Sequence, residues 1–254
     1  FKNIKMMLNG YETSNPLDQK AKELEMIIFI SISPEQVLKN IEKTIGKYFH
    51  FKDIKFSSFS LVSFAVTRDL FAHNEDFLLI DIGGEVTNIS MTKKNILRES
   101  ISFPLGCNFI TRKIASSLHA SLTEAKSLIS LFKDGHVTEF MAKKISPVMD
   151  KLKKEWLGKF QESLANLSND ISIPSIIYIT VEKDEAVFFS QIIETEQFNQ
   201  YTLAESKFKV IFLGAEIFHG LTQFEENVAR DAFLIIEAIY INRFLINSAQ
   251  AGQV

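Results

Sequence analysis

The stretch of sequence that decides the fold is LLIDIGGEVTNISM, residues 78–91. An apolar run leads to Asp81 and a Gly83–Gly84 turn, and alternating apolar residues then continue to Met91. This pattern predicts a strand, a tight turn and a second strand. Glycines let a backbone approach oxygen atoms closely, and an aspartate at a strand end can orient a hydrated Mg²⁺ ion. Two interpretations follow: a phosphate-binding hairpin, or an ordinary Gly-Gly hairpin beside an acid.

The composition is that of a globular protein, with 46% hydrophobic and 23% charged residues in 254. The net charge of −3 gives no overall basic field, so we predict no nucleic-acid partner. Cys107 is the single cysteine, which excludes an intramolecular disulfide and fits a reducing cytoplasm. The histidines are scattered without metal-ligand spacing. No apolar run reaches the roughly 20 residues of a spanning helix, so we predict no transmembrane segment.

Strands and helices alternate along the chain. Apolar runs predict further strands over residues 26–32, 54–56, 96–103, 175–180 and 208–213. Helical spacing and capping residues predict helices over residues 34–49, 61–71, 108–118, 122–132, 138–166, 187–193 and 230–245. We expect the first of these strands to be buried, Asn108 to cap a helix and Ser121 to open a capping box. The alternation, with such apolar strands, predicts an α/β fold with a mixed sheet covered by helices on both faces.

Three stretches occur in a family-like order: LNGYETSNPLDQKAKELEMIIFISIS (8–33), LLIDIGGEVTNISM (78–91) and ISFPLGCNFITRKIASSLHASLTEAKSLISLF (101–132). In that order they resemble the actin-like ATPase superfamily, in its FtsA and PilM group. The second stretch looks like the second phosphate loop of that group, and its VTNI is closer to the PilM form. The resemblance implies an actin-like (ribonuclease H-like) fold of mixed sheets flanked by helices.

The resemblance also implies a domain organisation. Residues 1–33 would end a small inserted domain, and residues 34–76 would return to the first actin-like lobe. Residues 77–254 would form the second lobe, with a helical insertion around 138–168. The family's first phosphate loop lies upstream of the inserted domain, and this chain begins inside that domain with Phe1. We therefore expect an N-terminally truncated member.

The same resemblance implies a nucleotide site. Its cofactor-binding residues would be Asp81, Gly83, Gly84, Thr87 and Asn88. They would hold ATP, with Asp81 holding Mg²⁺ through a water molecule. No residue is assigned a catalytic role.

Three departures from the family pattern predict weak or lost ATP binding. Glu85 stands where a third glycine often follows, and a carboxylate repels phosphate oxygens unless it points to solvent or a metal intervenes. Lys126 and Ile129 stand where a Glu and a Lys clasp adenine. Val181-Glu182-Lys183-Asp184 replaces the Gly-Gly of the adenosine loop, where side chains block close backbone approach.

Three functions remain open. The favoured one is a degenerate actin-like scaffold, not an enzyme, at the inner face of the cell membrane in a PilM-like type IV pilus platform. It would bind the cytoplasmic tail of a membrane pilus or division protein and self-associate. The alternative is an FtsA-like division protein, an active ATPase that links a division filament to the membrane. The third is an unrelated α/β domain with an ordinary hairpin.

Overall fold

The computed structural model describes residues 2–13, 15–49, 54–167, 172–195, 208–223, 225, 228 and 230–246. The chain divides into two compact units, Phe1–Ala65 and Val66–Val254. Residue 168, the last of the predicted helical insertion, lies outside the described residues.

The first unit contains a small antiparallel sheet in the order β2-β1-β3. Its strands are β1 (Lys2–Leu8), β2 (Tyr11–Glu12) and β3 (Leu24–Phe29). The predicted burial of the strand at residues 26–32 is wrong: Met26 and Ile28 are exposed on β3, and Ile30 and Ile32 beyond it are exposed too. An apolar run shows that a strand forms there but not that anything covers it.

Helices follow this sheet. α1 (Glu35–Phe49) confirms the helix predicted from Pro34 onward, although none of its residues is buried. The predicted strand at residues 54–56 is wrong, because these residues have no regular secondary structure. α2 (Phe59–Leu70) begins in the first unit and ends in the second, and its central apolar residues, from Leu61 to Val66, are buried as predicted.

The second unit is built on a five-stranded mixed sheet in the order β6-β5-β4-β7-β8. Its strands are β4 (Phe77–Ile82), β5 (Thr87–Lys93), β6 (Ile96–Phe103), β7 (Ile176–Thr180) and β8 (Lys209–Phe212). β4, β5 and β6 form an antiparallel meander, and β7 and β8 continue parallel to β4. The predicted mixed sheet is thus confirmed.

The helices of this unit are α3 (Cys107–Leu118), α4 (Leu122–Lys133), α5 (Glu139–Leu167), α6 (Lys183–Thr195) and α7 (Ala232–Tyr240), which a π-helical turn, Ile241–Ile246, continues. α4 begins with the predicted capping box, in which Ser121 and Glu124 bond each other's backbone N–H groups. One large apolar cluster joins α3, α4, α5 and α6 to one face of the sheet.

The two faces of β4 have different neighbours because successive side chains of a strand point to opposite sides. Leu78, Ile80 and Ile82 belong to the apolar cluster beneath the helices. Phe77 and Asp81 lie on the other face, where Phe77 contacts Tyr178 of β7 edge to face. The predicted Asp81 is therefore on the opposite face from the main core, at the carboxyl end of the strand.

Candidate functional site

The predicted hairpin forms at the expected residues. β4 and β5 pair from Phe77 opposite Thr92 to Ile82 opposite Thr87, and the Gly83 N–H donates to the Val86 carbonyl at 2.9 Å to close the turn. Neither Gly83 nor Gly84 has a positive φ. Neither glycine is therefore required for a left-handed backbone, and only at position 84 would an added Cβ atom meet a close neighbour, the Asn108 amide nitrogen at 2.7 Å.

The N-terminus of α3 packs directly on this hairpin. The N–H groups of Cys107 and Asn108 donate to the carbonyls of Gly83 and Gly84 at 2.9 and 2.8 Å. A Cβ atom on Gly106 would lie 2.3 Å from the Gly83 oxygen, so only glycine allows this approach. The first N–H groups of a helix are the ones that bind anions in many proteins. Two of them are used here by the hairpin carbonyls.

The predicted cap of α3 is wrong. Gly106 is the N-cap residue, without a side-chain cap, and Asn108 lies inside the first turn. The Asn108 side chain instead donates to Glu85 Oε1 at 3.1 Å. A Cβ atom on Gly84 would lie 2.7 Å from the Asn108 amide nitrogen, so the glycine at position 84 makes room for this side chain.

Thr87 is completely buried. Its hydroxyl donates to the Leu105 carbonyl at 2.7 Å and accepts the Trp156 indole N–H of α5 at 3.2 Å. Both contacts lie within the protein. The sequence did not single out Trp156, although it is the one tryptophan of the chain, and a buried indole N–H needs an acceptor.

Asp81 is buried, with 2% of its surface exposed. In the sheet register it lies opposite Asn88 of β5 and Thr180 of β7. The Thr180 hydroxyl is buried without a hydrogen-bond partner among the described residues. The structure thus brings the predicted Asp81 and Asn88 together at one end of the sheet.

Glu85 is exposed at the turn of the hairpin, and its carboxylate accepts three hydrogen bonds. Arg112 of α3 donates from both terminal nitrogens to its two oxygens, each at 2.7 Å, in a bidentate ion pair. Hydrogen bonds from Arg112 and then Asn108 lower the pKa of Glu85 to about 2. The same pair raises the pKa of Arg112. Sequence analysis missed Arg112; its signal was the spacing of four residues from Asn108, which puts both side chains on one face of a helix.

Lys126, from the predicted adenine position, contacts Glu182, from the predicted adenosine loop. Lys126 of α4 forms an ion pair with Glu182, just after β7, at 3.8 Å. Ile129 is buried in the core. β7 ends at Thr180, and α6 already starts at Lys183.

Two depressions lie at this end of the second unit. One, of about 490 Å³, is bounded by α3, α4 and the hairpin; we call it the α3–α4 groove, and its lining residues are Glu85, Asn108, Thr111, Arg112, Leu122, Thr123, Lys126 and Ser127. The other, of about 450 Å³, lies beyond the carboxyl ends of β7 and β8. The Lys183–Glu216 ion pair, at 3.1 Å, belongs to its wall. Carboxyl ends of parallel strands are the usual ligand sites of α/β sheets.

Cys107 does not have the environment of a nucleophile. Burial, followed by the charges of Glu185 and Glu182, raises the pKa of its thiol to about 12. Since the thiolate is the reactive form, this environment keeps the thiol in its unreactive state.

Several polar groups of the predicted phosphate site are already paired within the protein. The Thr87 hydroxyl is paired in the interior, the Glu85 carboxylate is paired with Arg112 at the surface, and two N–H groups of α3 donate to the hairpin carbonyls. Within the same residues, no group of three His, Cys, Asp or Glu side chains could hold a metal ion. The nucleotide-binding roles of Asp81, Gly83, Gly84, Thr87 and Asn88 stay predictions.

No helix within the described part of the chain is both long and apolar enough to cross a membrane.

Comparison with known proteins identifies the family of the chain. The family model "Cell division protein FtsA" matches residues 78–231, more than half of the chain, from the hairpin to the N-cap of α7. No curated protein sequence matches the chain.

Several solved structures resemble this one. A PilM–PilN type IV pilus biogenesis complex shares 17% identity over 71% of this chain and 51% of its own, with a TM-score of 0.42. The ethanolamine utilization protein EutJ from Carboxydothermus hydrogenoformans shares 18% over 59% and 48%, with a TM-score of 0.38. MreB 5 of Spiroplasma citri, bound to AMPPNP, shares 9% over 92% and 84%, with a TM-score of 0.42. The chain spans about half the length of the EutJ and PilM structures.

The predicted fold class is confirmed as actin-like, with the mixed five-stranded sheet flanked by helices. The match covers two of the three stretches that resemble that superfamily, residues 78–91 and 101–132, and does not extend to residues 8–33. On the strength of this match, the chain belongs to the FtsA family.

Proposed function

We propose that this protein is an actin-like scaffold with weak or lost ATP binding, and that it works by protein–protein contact in a membrane-associated assembly machine. One observation carries the proposal. The two acids that replace glycines of the family pattern, Glu85 and Glu182, each pair with a cation of the α3–α4 groove, Arg112 and Lys126. These carboxylates take up the positive charge that a nucleotide would need.

The first unit supports the contact role. Leu24, Met26 and Ile28 alternate along β3 and are exposed, and β3 lies at an edge of its sheet. An exposed apolar edge strand is a surface to which an extended peptide can add as a further strand. In this proposal residues 1–33 close a small inserted domain that receives the cytoplasmic tail of a membrane protein, at the inner face of the membrane. Residues 34–76 belong to the first lobe and residues 77–254 to the second.

The machine in question is a PilM-like type IV pilus platform, as the VTNI of residues 86–89 favours. The second candidate is an FtsA-like division protein that binds ATP and Mg²⁺ through Asp81, and the match to the FtsA family model supports it. A fluorescent fusion at pilus bases would support the first candidate, and one at the division site the second.

Calorimetric titration of Mg-ATP into the full chain tests the scaffold proposal. We expect no heat of binding up to millimolar nucleotide, because the groove cations are already paired. A micromolar Kd that the Asp81→Asn variant abolishes, with its thermal unfolding unchanged, would overturn the proposal in favour of an active nucleotide site.

A further inference from the structure

The Glu85–Arg112 pair has the geometry with which arginine binds phosphate. Two parallel N–H···O bonds of 2.7 Å join the guanidinium to the carboxylate, and the Asn108 amide donates a third bond. Arginine forms the same two-pronged contact with carboxylates and with phosphates. Three donors thus converge on one oxyanion, and that oxyanion belongs to the protein itself.

The surroundings of the pair form an oxyanion-binding groove. Lys126 of α4 also lines the α3–α4 groove, together with the hydroxyl residues Thr111, Thr123 and Ser127. The volume of about 490 Å³ is of the size that small ligands occupy. Lys126 also forms an exposed ion pair with an acid of this chain, Glu182, at 3.8 Å.

The glycine at position 84 serves this internal pairing. Any larger residue would place a Cβ atom 2.7 Å from the amide nitrogen with which Asn108 holds Glu85. The space that a glycine-rich turn would leave for a phosphate is used here to bring an amide to a carboxylate.

We propose that Arg112 and Asn108 form an oxyanion site for oligophosphates, and that its resident occupant is the Glu85 side chain of the same chain. This inference rests on the proposed function, because it supplies the reason why nucleotide binding is weak. Glu85 is an intramolecular competitor, whose effective concentration is set by the hairpin and not by the concentration of phosphate in solution. Its removal exposes three donors that no longer have an acceptor.

Titration of Mg²⁺-free inorganic pyrophosphate by calorimetry tests this site. We expect no binding to the wild type up to millimolar concentration, and binding at least about tenfold tighter to Glu85→Ala. The double variant Glu85→Ala/Arg112→Ala should lose this gain. Glu85→Gln keeps the side-chain volume without the charge and should show a smaller gain of the same sign. The fluorescence of Trp156, the one tryptophan, reports whether each variant is folded.

A matched control separates the site from a change in net charge. Glu162 of α5 is as exposed as Glu85 and pairs with Lys159 at the same 2.7 Å. Glu162→Ala should gain no pyrophosphate binding. The inference is overturned by an absence of gain in folded Glu85→Ala, by a gain that survives the loss of Arg112, or by an equal gain in Glu162→Ala. A failure of this inference leaves the scaffold proposal in place, because that proposal depends on the Mg-ATP titration of the wild type.

Discussion

Glu85 and Thr87 lie two residues apart in one hairpin, yet their side chains have opposite surroundings. The Thr87 hydroxyl is completely buried between the Leu105 carbonyl and the Trp156 indole. The Glu85 carboxylate is mostly exposed and pairs with Arg112 at the surface. Buried hydrogen bonds are costly to break, whereas exposed ion pairs contribute little to stability.

This difference assigns stability and ligand binding to different sides of the same hairpin. The buried side of the hairpin holds α5 and α3 to the sheet and so bears on stability. The exposed side presents charge to the α3–α4 groove and so bears on ligand binding. Variants on the buried side should therefore change the free energy of unfolding, and variants on the exposed side should change affinity without changing it.

Trp156→Ala should have the largest effect on stability. The indole is 2% exposed, stacks on Phe160 with a centroid distance of 5.2 Å and donates to Thr87. Its truncation should lower the free energy of unfolding by about 3–5 kcal/mol, because it leaves a large cavity in the core. Denaturant titration followed by circular dichroism measures this, since the variant has no tryptophan fluorescence.

Trp156→Phe is the matched control for that change. It keeps most of the ring but removes the N–H donor, so it should cost about 1–3 kcal/mol, less than the alanine variant. A loss below about 1 kcal/mol for Trp156→Ala would show that α5 does not hold the buried side of the hairpin.

Local signals account for what the sequence could predict. The β4–β5 hairpin, the β6 bounds and the Ser121 capping box each depend on residues within a few positions of one another. The actin-like fold followed from the order of such pieces. These features depend on local backbone preferences and residue spacing, and not on contacts between distant parts of the chain.

The errors concern contacts between distant residues. Glu85 and Arg112 are 27 positions apart in the sequence, and Thr87 and Trp156 are 69 positions apart. No local sequence pattern therefore predicts either contact. Asn108 was a good cap candidate by residue type, but Glu85 uses its side chain. The apolar run at residues 26–32 predicted a strand correctly but its burial wrongly, because apolar side chains occur both in cores and on exposed apolar surfaces.

Gly106→Ala should have an intermediate effect and tests the contact between α3 and the hairpin. The added Cβ atom would lie 2.3 and 2.5 Å from the Gly83 and Gly84 carbonyl oxygens, which are backbone atoms and cannot rotate away. We expect the free energy of unfolding to fall by about 1–3 kcal/mol as α3 moves off the turn. Thermal and denaturant unfolding measure it.

Gly83→Ala is the control for that variant. Its Cβ atom would meet the Val86 carbonyl oxygen at 3.4 Å, an ordinary contact, and Gly83 does not have a positive φ. Its stability should equal that of the wild type or exceed it slightly, because alanine reduces the entropy of the unfolded chain. Equal losses in the two glycine variants would mean that the hairpin, and not its contact with α3, needs glycine.

Glu85→Gln should have the smallest effect on stability, and the titration of Glu85 itself tests the ion pair. The pKa of Glu85 is lowered from 4.5 to about 2, chiefly by the hydrogen bonds from Arg112. A lowered pKa in the folded state means that the pair contributes to stability above about pH 4.5 and that this contribution disappears as the pH falls through about 2. Solvent screens the exposed pair, so the unfolding curves of the wild type and Glu85→Gln should nearly coincide at pH 7.

An NMR titration of the Glu85 side-chain carboxyl carbon should give a midpoint near 2 in the wild type and a higher one in Arg112→Ala. A wild-type midpoint near 4.5 would show that the Glu85–Arg112 pair does not persist in solution. Glu85 would then not compete with anions for Arg112 on the exposed side of the hairpin.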